Sequence, residues 1–133
     1  MEHLDICLDS DVLIDHLRAN PEVVKKIKKF EDEGSALFTT TINSFELYYG
    51  AFKTAKKERN IQAVEGLLSR LILLPLDNPS SKISAKILKD LEVKGHMVEF
   101  RDALIAGIVI ANNLSLLTGN IKHFGKIEDL KVL

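Results

Sequence analysis

The chain predicts an α/β fold: a short parallel sheet of about five strands with helices on both faces. Two observations carry that expectation. Apolar runs of four or five residues recur at 4–8, 36–40, 72–76, 115–118 and 130–133. Helical segments separate them, and strands that are apolar throughout belong to a sheet covered on both sides. A third observation concerns chemistry. Four polar side chains, Asp9, Glu46, Asp102 and Asn120, each lie where a strand ends or a helix begins. A carboxylate in an apolar segment costs several kcal/mol unless it is paired or holds a cation. In parallel sheets, sites form at the carboxyl ends of the strands.

The first run, 4–8, ends at Asp9, and a helix from near Asp11 carries Val12, Leu13, Ile14 and Leu17. Asn20-Pro21 reads as a cap followed by a proline at the first helical position. The helix from Glu22 places Val23, Val24, Ile27 and Phe30 on one face and Lys25, Lys26, Lys28 and Lys29 on the other, and Gly34 ends it. After the strand at 36–40, helices are expected at 42–55 and 58–71. Pro75 marks the strand at 72–76 as an edge or a strand end. Asn78-Pro79 starts a helix that runs to Lys94 and stops at Gly95. The helix at 98–112 is apolar on all sides from Ala103 to Ala111, with Gly107 permitting close approach of another element. A helical turn at 120–124 lies between the last two strands.

At 133 residues the chain suits one domain, 1–133. With 46% hydrophobic and 28% charged residues it has an ordinary globular balance. A net charge of -1 excludes recruitment of nucleic acid by the whole-molecule field, so any such binding needs a local basic patch. The clearest patch is Lys53, Lys56, Lys57 and Arg59, with a solvated surface as the equal alternative. The single cysteine, Cys7, excludes an internal disulfide and reads as a small buried hydrophobe. His3, His16, His96 and His123 show no paired metal-ligand spacing. Residues 1–5 lack the pattern of a signal peptide, and the longest apolar run is too short for a bilayer, so a cytoplasmic location without membrane contact is the default. Phe45, Tyr48, Tyr49 and Phe52 fall at helical spacings that suggest core or dimer packing.

Four segments together are specific where each alone is weak. They are Leu8-Asp9-Ser10-Asp11-Val12-Leu13-Ile14-Asp15, the stretch from Thr41 through Glu46 to Gly50, the stretch from Gly95 through Asp102 to Ala106, and Leu117-Thr118-Gly119-Asn120-Ile121-Lys122-His123-Phe124. In this order and spacing they resemble a PIN-domain ribonuclease of the VapC toxin type over almost the whole chain. The resemblance implies a three-layer α/β/α sandwich, a Mg²⁺ or Mn²⁺ site and cleavage of single-stranded or looped RNA. It also implies a homodimer and a small VapB-like antitoxin that inhibits the site and binds operator DNA. Carried over by position, Asp9, Glu46 and Asp102 are the core acids. Asn120 falls where many members have a fourth acid, a departure that weakens the case for a second tightly held metal.

Phosphodiester hydrolysis needs an activated water and neutralised phosphate charge, both of which a divalent ion supplies. Such ions prefer oxygen ligands and keep several waters, so few carboxylates suffice. Asp9 and Asp102 are the expected ligands, directly or through water. Glu46, Glu99 and Asn120 are further candidates, and Ser10 and Thr118 would hold the carboxylates by hydrogen bonds. The bland alternatives are helix caps at Asp9, Asp11 and Asn120, a solvated helix residue at Glu46, and an N-terminal helix charge at Glu99 that shares a face with Asp102. Two other functions compete. Asp9-Ser10-Asp11-Val12 fits the opening of a haloacid-dehalogenase-type phosphatase with Asp9 as nucleophile, but no acidic pair follows the strand at 115–118. A receiver domain lacks its phosphoacceptor strand. The non-enzymatic alternative is an inactive PIN-like RNA-binding module.

Overall fold

The computed structural model describes residues 4–133; His3, which the sequence reading names, lies outside them. Among the described residues five strands and seven helices alternate: β1 (Ile6–Leu8), α1 (Ser10–Leu17), α2 (Pro21–Asp32), β2 (Leu37–Thr40), α3 (Thr41–Phe52), α4 (Lys57–Leu68), β3 (Ile72–Leu74), α5 (Asn78–Val93), α6 (Phe100–Ala111), β4 (Ser115–Leu117), α7 (Ile121–Phe124) and β5 (Lys131–Val132). All strands pair in parallel in the order β3-β2-β1-β4-β5. The expected α/β sandwich is the observed architecture.

Side-chain alternation along the central strands builds two cores. Ile6 and Leu8 of β1 and Leu117 of β4 point to one face, where Val12, Leu13, Ile27, Leu47 and Leu67 from α1–α4 cover them. Cys7 and Leu116 point to the other face, against Leu91, Ile105, Val109 and Phe124 from α5–α7. Burial, and then the charge of Asp9, push the Cys7 thiol far above its usual range, so it packs as an inert hydrophobe. No helix of the described residues is long and apolar enough to cross a membrane.

Local chemistry sets the element ends. Asn20 Oδ1 accepts from the backbone N–H of Glu22 and Val23 at 3.1 and 3.3 Å, with Pro21 at the first helical position. Gly34 and Gly95 take positive φ, +83° and +75°, where α2 and α5 have ended. Two helices stop earlier than expected, where a hydroxyl donates to a carbonyl of the last turn. Thr54 Oγ1 bonds the Ala51 carbonyl at 2.7 Å after α3, and Ser69 Oγ bonds the Gly66 carbonyl at 2.7 Å after α4. The cap of α5 is Asp77, which accepts from Ser80 N–H at 3.0 Å, and the helix starts at Asn78 as expected. β3 is an edge strand with Ile72 and Leu73 exposed and Pro75 just past its end.

The aromatic stripe on α3 divides. Tyr48 packs against the core, but Phe45, Tyr49 and Phe52 are 67%, 56% and 61% exposed, which corrects the core half of the expectation. They lie opposite Leu47 and Ala51, which face inward. Phe45 and Tyr49 stack at 6.0 Å between ring centroids, and Lys53 Nζ sits 4.4 Å above the Tyr49 ring.

Three of the site-bearing junctions have almost no loop. Thr40 ends β2 and Thr41 begins α3, one residue separates β1 from α1, and three separate β4 from α7. On the buried side, α5 and α6 meet at Gly107. A Cβ there would run into the Ser84 side chain and approach the Ser80 carbonyl and Ser84 nitrogen at 2.7 and 2.8 Å. Gly107→Val is therefore expected to destabilise the protein by roughly 2–3 kcal/mol through overpacking, read as a lower urea midpoint with unchanged slope.

Candidate active site

The strand order reverses at β1, whose two neighbours are β2 and β4. Open α/β sheets form their crevice at such a switch point, beyond the carboxyl ends of the strands. Asp9 lies there, one residue past β1, and is buried. Its backbone N–H donates to the Leu117 carbonyl at 3.0 Å, which continues the β1–β4 pairing by one residue. Its Oδ1 accepts from Ser10 N–H at 2.8 Å and Asn43 Nδ2 at 3.0 Å, and its Oδ2 accepts from Thr118 Oγ1 at 2.7 Å. Asp9 thus caps α1, as the bland alternative had it, while three donors from three junctions fix its carboxylate.

Asn43 is the residue that the sequence reading missed. It is fully buried on the first turn of α3. Its Oδ1 accepts from the Thr40 hydroxyl at 2.7 Å and the Thr40 N–H at 3.3 Å, while its Nδ2 reaches both Asp9 and Ser10 Oγ, the latter at 2.8 Å. The Thr40-x-x-Asn43 spacing is a capping box, and that signal is present in the sequence. Ser10 Oγ in turn donates to Glu46 Oε1 at 2.8 Å. One amide therefore links the first acid to the hydroxyl that orients the second.

Asp102 sits on the first turn of α6 at 0% exposure. Its Oδ1 accepts from Arg101 Nη1 at 2.7 Å, and its buried Oδ2 has no hydrogen-bond partner. Burial raises the Asp102 pKa above the ordinary carboxylate range; the Arg101 charge opposes the rise, and Glu99 and Asp9 add to it. Arg101, also missed, donates Nε to Glu46 Oε2, so one guanidinium bridges two of the three acids. Desolvation lowers the Arg101 pKa, but the hydrogen bond and charge of Glu46 outweigh it and leave it raised. Glu99 is the N-cap of α6 with extended backbone, so it does not share a helix face with Asp102. Its exposed carboxylate lies 3.5 Å from Arg101 Nη1. The expected helix start at Val98 falls two residues early, since intrahelical bonding begins with Asp102 and Ala103 N–H on the Glu99 carbonyl.

Asn120 joins from the fourth segment. Its N–H donates to Thr118 Oγ1 at 2.9 Å, and its Nδ2 lies 3.0 Å from His123 Nδ1. His123 Nδ1 is also 3.7 Å from Asp102 Oδ2. Asp11 holds the same turn by accepting Gly119 N–H at 2.8 Å; burial, then the charge of Asp9, raise its pKa. Asp9, Glu46, Asp102 and Asn120 thus fall within one bonded network with Ser10 and Thr118. Lys53, Lys56, Lys57 and Arg59 do not join it: they are exposed around the α3–α4 corner.

Among the described residues no three His, Cys, Asp or Glu side chains already surround a common cation position. Arg101 takes one carboxylate oxygen from each of Glu46 and Asp102. The donor chemistry nevertheless suits a hard divalent ion. The acids offer only oxygen, and Asp102 Oδ2 is a buried acceptor that costs free energy until a cation or water completes it.

Residues 6–130 match the PIN domain family model. The chain is 31% identical over 129 residues to the tRNA(fMet)-specific endonuclease VapC of Salmonella typhimurium, covering 97% of this chain and 96% of that protein. It is 29% identical over 123 residues to Ribonuclease VapC2 of Rickettsia felis, covering 92% of each. Among solved structures, it is similar to VapBC2 from Rickettsia felis bound to a DNA fragment from their promoter, with TM-score 0.90, 27% identity and 98% of both chains covered. DNA-bound VapBC from Salmonella typhimurium gives 0.89 at 29% identity, covering 98% of this chain and 97% of that one.

Two outcomes are expected from this geometry. Asn43→Ala takes the side-chain acceptor from the buried Thr40 hydroxyl and one of two donors from Asp9 Oδ1, and should lower unfolding stability by roughly 2–3 kcal/mol, measured by chemical denaturation. The raised Asp102 pKa gives a signed pH effect. Its folded state holds the proton more tightly than the unfolded chain, so its ionisation opposes folding as pH rises through the raised value. In EDTA, Asp102→Asn should therefore match wild type below the ordinary carboxylate range and be more stable than wild type at neutral pH. Equal stability differences at pH 3.5 and pH 7.5 in thermal melts would contradict it.

Proposed function

The chain belongs to the PIN domain family, and on that footing we propose that it is a metal-dependent endoribonuclease, the toxin of a toxin–antitoxin pair. The observation that carries this is the convergence of Asp9, Glu46 and Asp102 from separate junctions onto one edge of the sheet. Asp9 and Asp102 would hold a Mg²⁺ or Mn²⁺ ion, with Glu46, Glu99 and Asn120 as direct or water-mediated additions. When bound, that ion supplies an acidified water and neutralises phosphate charge.

The chain's own residues do the positioning. Glu46, steadied by Ser10, orients the attacking water. Asn120, tied to Thr118, offers an amide donor to phosphate or a neutral oxygen to the ion. Thr118 and Asn43 keep the Asp9 carboxylate in register. Water attacks phosphorus, the P–O3′ bond breaks, and the 3′ oxygen takes a proton, which leaves 5′-phosphate and 3′-hydroxyl ends. Lys53, Lys56, Lys57 and Arg59 are proposed to meet RNA phosphates. A rise of about 1.5 Å per residue leaves Lys53 only about 10 Å along the α3 axis from Glu46.

A VapB-like antitoxin, a homodimer and a cytoplasmic location complete the proposal. The similar solved structures are VapBC complexes bound to DNA, and the exposed aromatic face of α3 suits a protein contact. A single domain over 1–133 is supported by two cores built on one sheet. The phosphatase alternative loses ground because it leaves Glu46 and Asp102 without roles.

Purified protein, free of antitoxin, is expected to cut total RNA at discrete positions with Mg²⁺ or Mn²⁺. EDTA or Asp9→Asn should reduce cutting by at least about 100-fold, the scale of one lost charge-stabilising group. Sequenced ends carrying 2′,3′-cyclic phosphate would overturn the hydrolytic route. A folded Asp9→Asn variant that cuts like wild type would remove the assigned site.

A further inference from the structure

We propose that Arg101 is a built-in competitor for the divalent ion: its guanidinium takes carboxylate oxygens at the acid site, and the ion binds there only by displacing it. This rests on the metal site proposed above and concerns a residue outside that set.

The geometry carries it in three steps. First, Arg101 is bonded to functional acids at both ends of its fork, Nε on Glu46 and Nη1 on Asp102 Oδ1. A planar guanidinium is suited to bridge two carboxylates in this way, and it stays charged at any working pH. Second, Arg101 takes oxygens that Glu46 and Asp102 would otherwise offer a cation. Glu46 has its other oxygen committed to Ser10, and Asp102 has only Oδ2 left. Two positive groups cannot share those oxygens without mutual repulsion in a partly desolvated site. Third, Arg101 has a way out. Its side chain is 33% exposed, and it stands at the second position of α6 beside the exposed Phe100 and Glu99. Glu99, already 3.5 Å from Nη1, is a partner for the displaced guanidinium.

A fixed structural clamp makes the opposite prediction. If Arg101 only held Glu46 and Asp102 in place, its removal would loosen the ligands and weaken metal binding. If it competes, removal spares the ion the work of displacement, and the apparent affinity rises by the inverse of the ion-ready fraction.

The test is Mn²⁺ binding by calorimetry and by the loss of the free-ion electron paramagnetic resonance signal. Wild type, Arg101→Ala and Asp9→Asn are compared without RNA. Arg101→Ala is expected to bind Mn²⁺ roughly tenfold more tightly than wild type, the factor for an ion-ready fraction near one-tenth. Equal or weaker Asp9-dependent binding in a folded Arg101→Ala overturns the competitor and leaves the metal site standing. If neither wild type nor Arg101→Ala shows Asp9-dependent binding, the metal site fails and the competitor with it. An independent readout needs no variant. The Arg101 Nε–H resonance of wild-type protein should be protected from solvent exchange in EDTA and lose protection as Mg²⁺ saturates the site. Protection unchanged at saturation overturns the proposal.

Discussion

Three carboxylates gathered at the carboxyl end of a parallel sheet repel one another, and two of the three side chains are buried or nearly so. The rest of the site is arranged around that repulsion. Asp9 is offset by three hydrogen-bond donors and Glu46 by a serine hydroxyl and a guanidinium. Asp102 has one guanidinium bond and one bare oxygen. The imbalance falls on Asp102, and burial raises its pKa above the ordinary carboxylate range. Buried polar groups without partners are rare in folded proteins because each is costly. Asp102 persists where the surroundings hold it in place, on a helix that buries Ala103, Ile105, Ala106, Ile108 and Val109.

Topology decides where that charge collects. β1 is central, and the chain leaves it in both directions across the sheet. Its end is therefore the one place where junctions from β2 and β4 flank the same residue. Asn43 arrives from one side and Thr118 from the other, from positions 34 and 109 residues away in sequence. Alternation along β1 sends Ile6 and Leu8 to one core and Cys7 to the other, so the strand that carries Asp9 is gripped on both faces. Side chains held on such an element keep their geometry better than side chains on a mobile loop.

Much of this was readable from residue order. Short apolar runs gave the strands, Asn20-Pro21 gave the start of α2, and Pro75 marked the edge at β3. The acids announced themselves because each interrupts an apolar stretch. What could not be read were relations between segments. Asn43 looks like any amide on a helix until Asp9 is brought beside it across the sheet. Arg101 looks like an ordinary surface charge before Asp102 until Glu46, 55 residues away, meets its other face. The early ends of α3 and α4 depend on single hydroxyls, Thr54 and Ser69, which propensity does not register. Periodicity grouped Phe45, Tyr49 and Phe52 correctly on one face but not in the interior, because the same spacing serves an inward or an outward stripe.

Three of the junctions that carry the site contain almost no loop, with β2 passing into α3 without an intervening residue. Immobilising a backbone residue costs about 1–2 kcal/mol of configurational entropy, and a hinged binding segment meets that cost at each encounter with its ligand. Here it is met once, during folding, when strand and helix dock onto the two cores. Approaching ligands find the carboxylates already arrayed, so turnover should be limited by how the incoming strand shapes itself to the edge and not by closure of the enzyme around it. Discrimination among ligands must then reside in the conformation that a target presents, since a stiff edge has little capacity to mould itself to a poor fit.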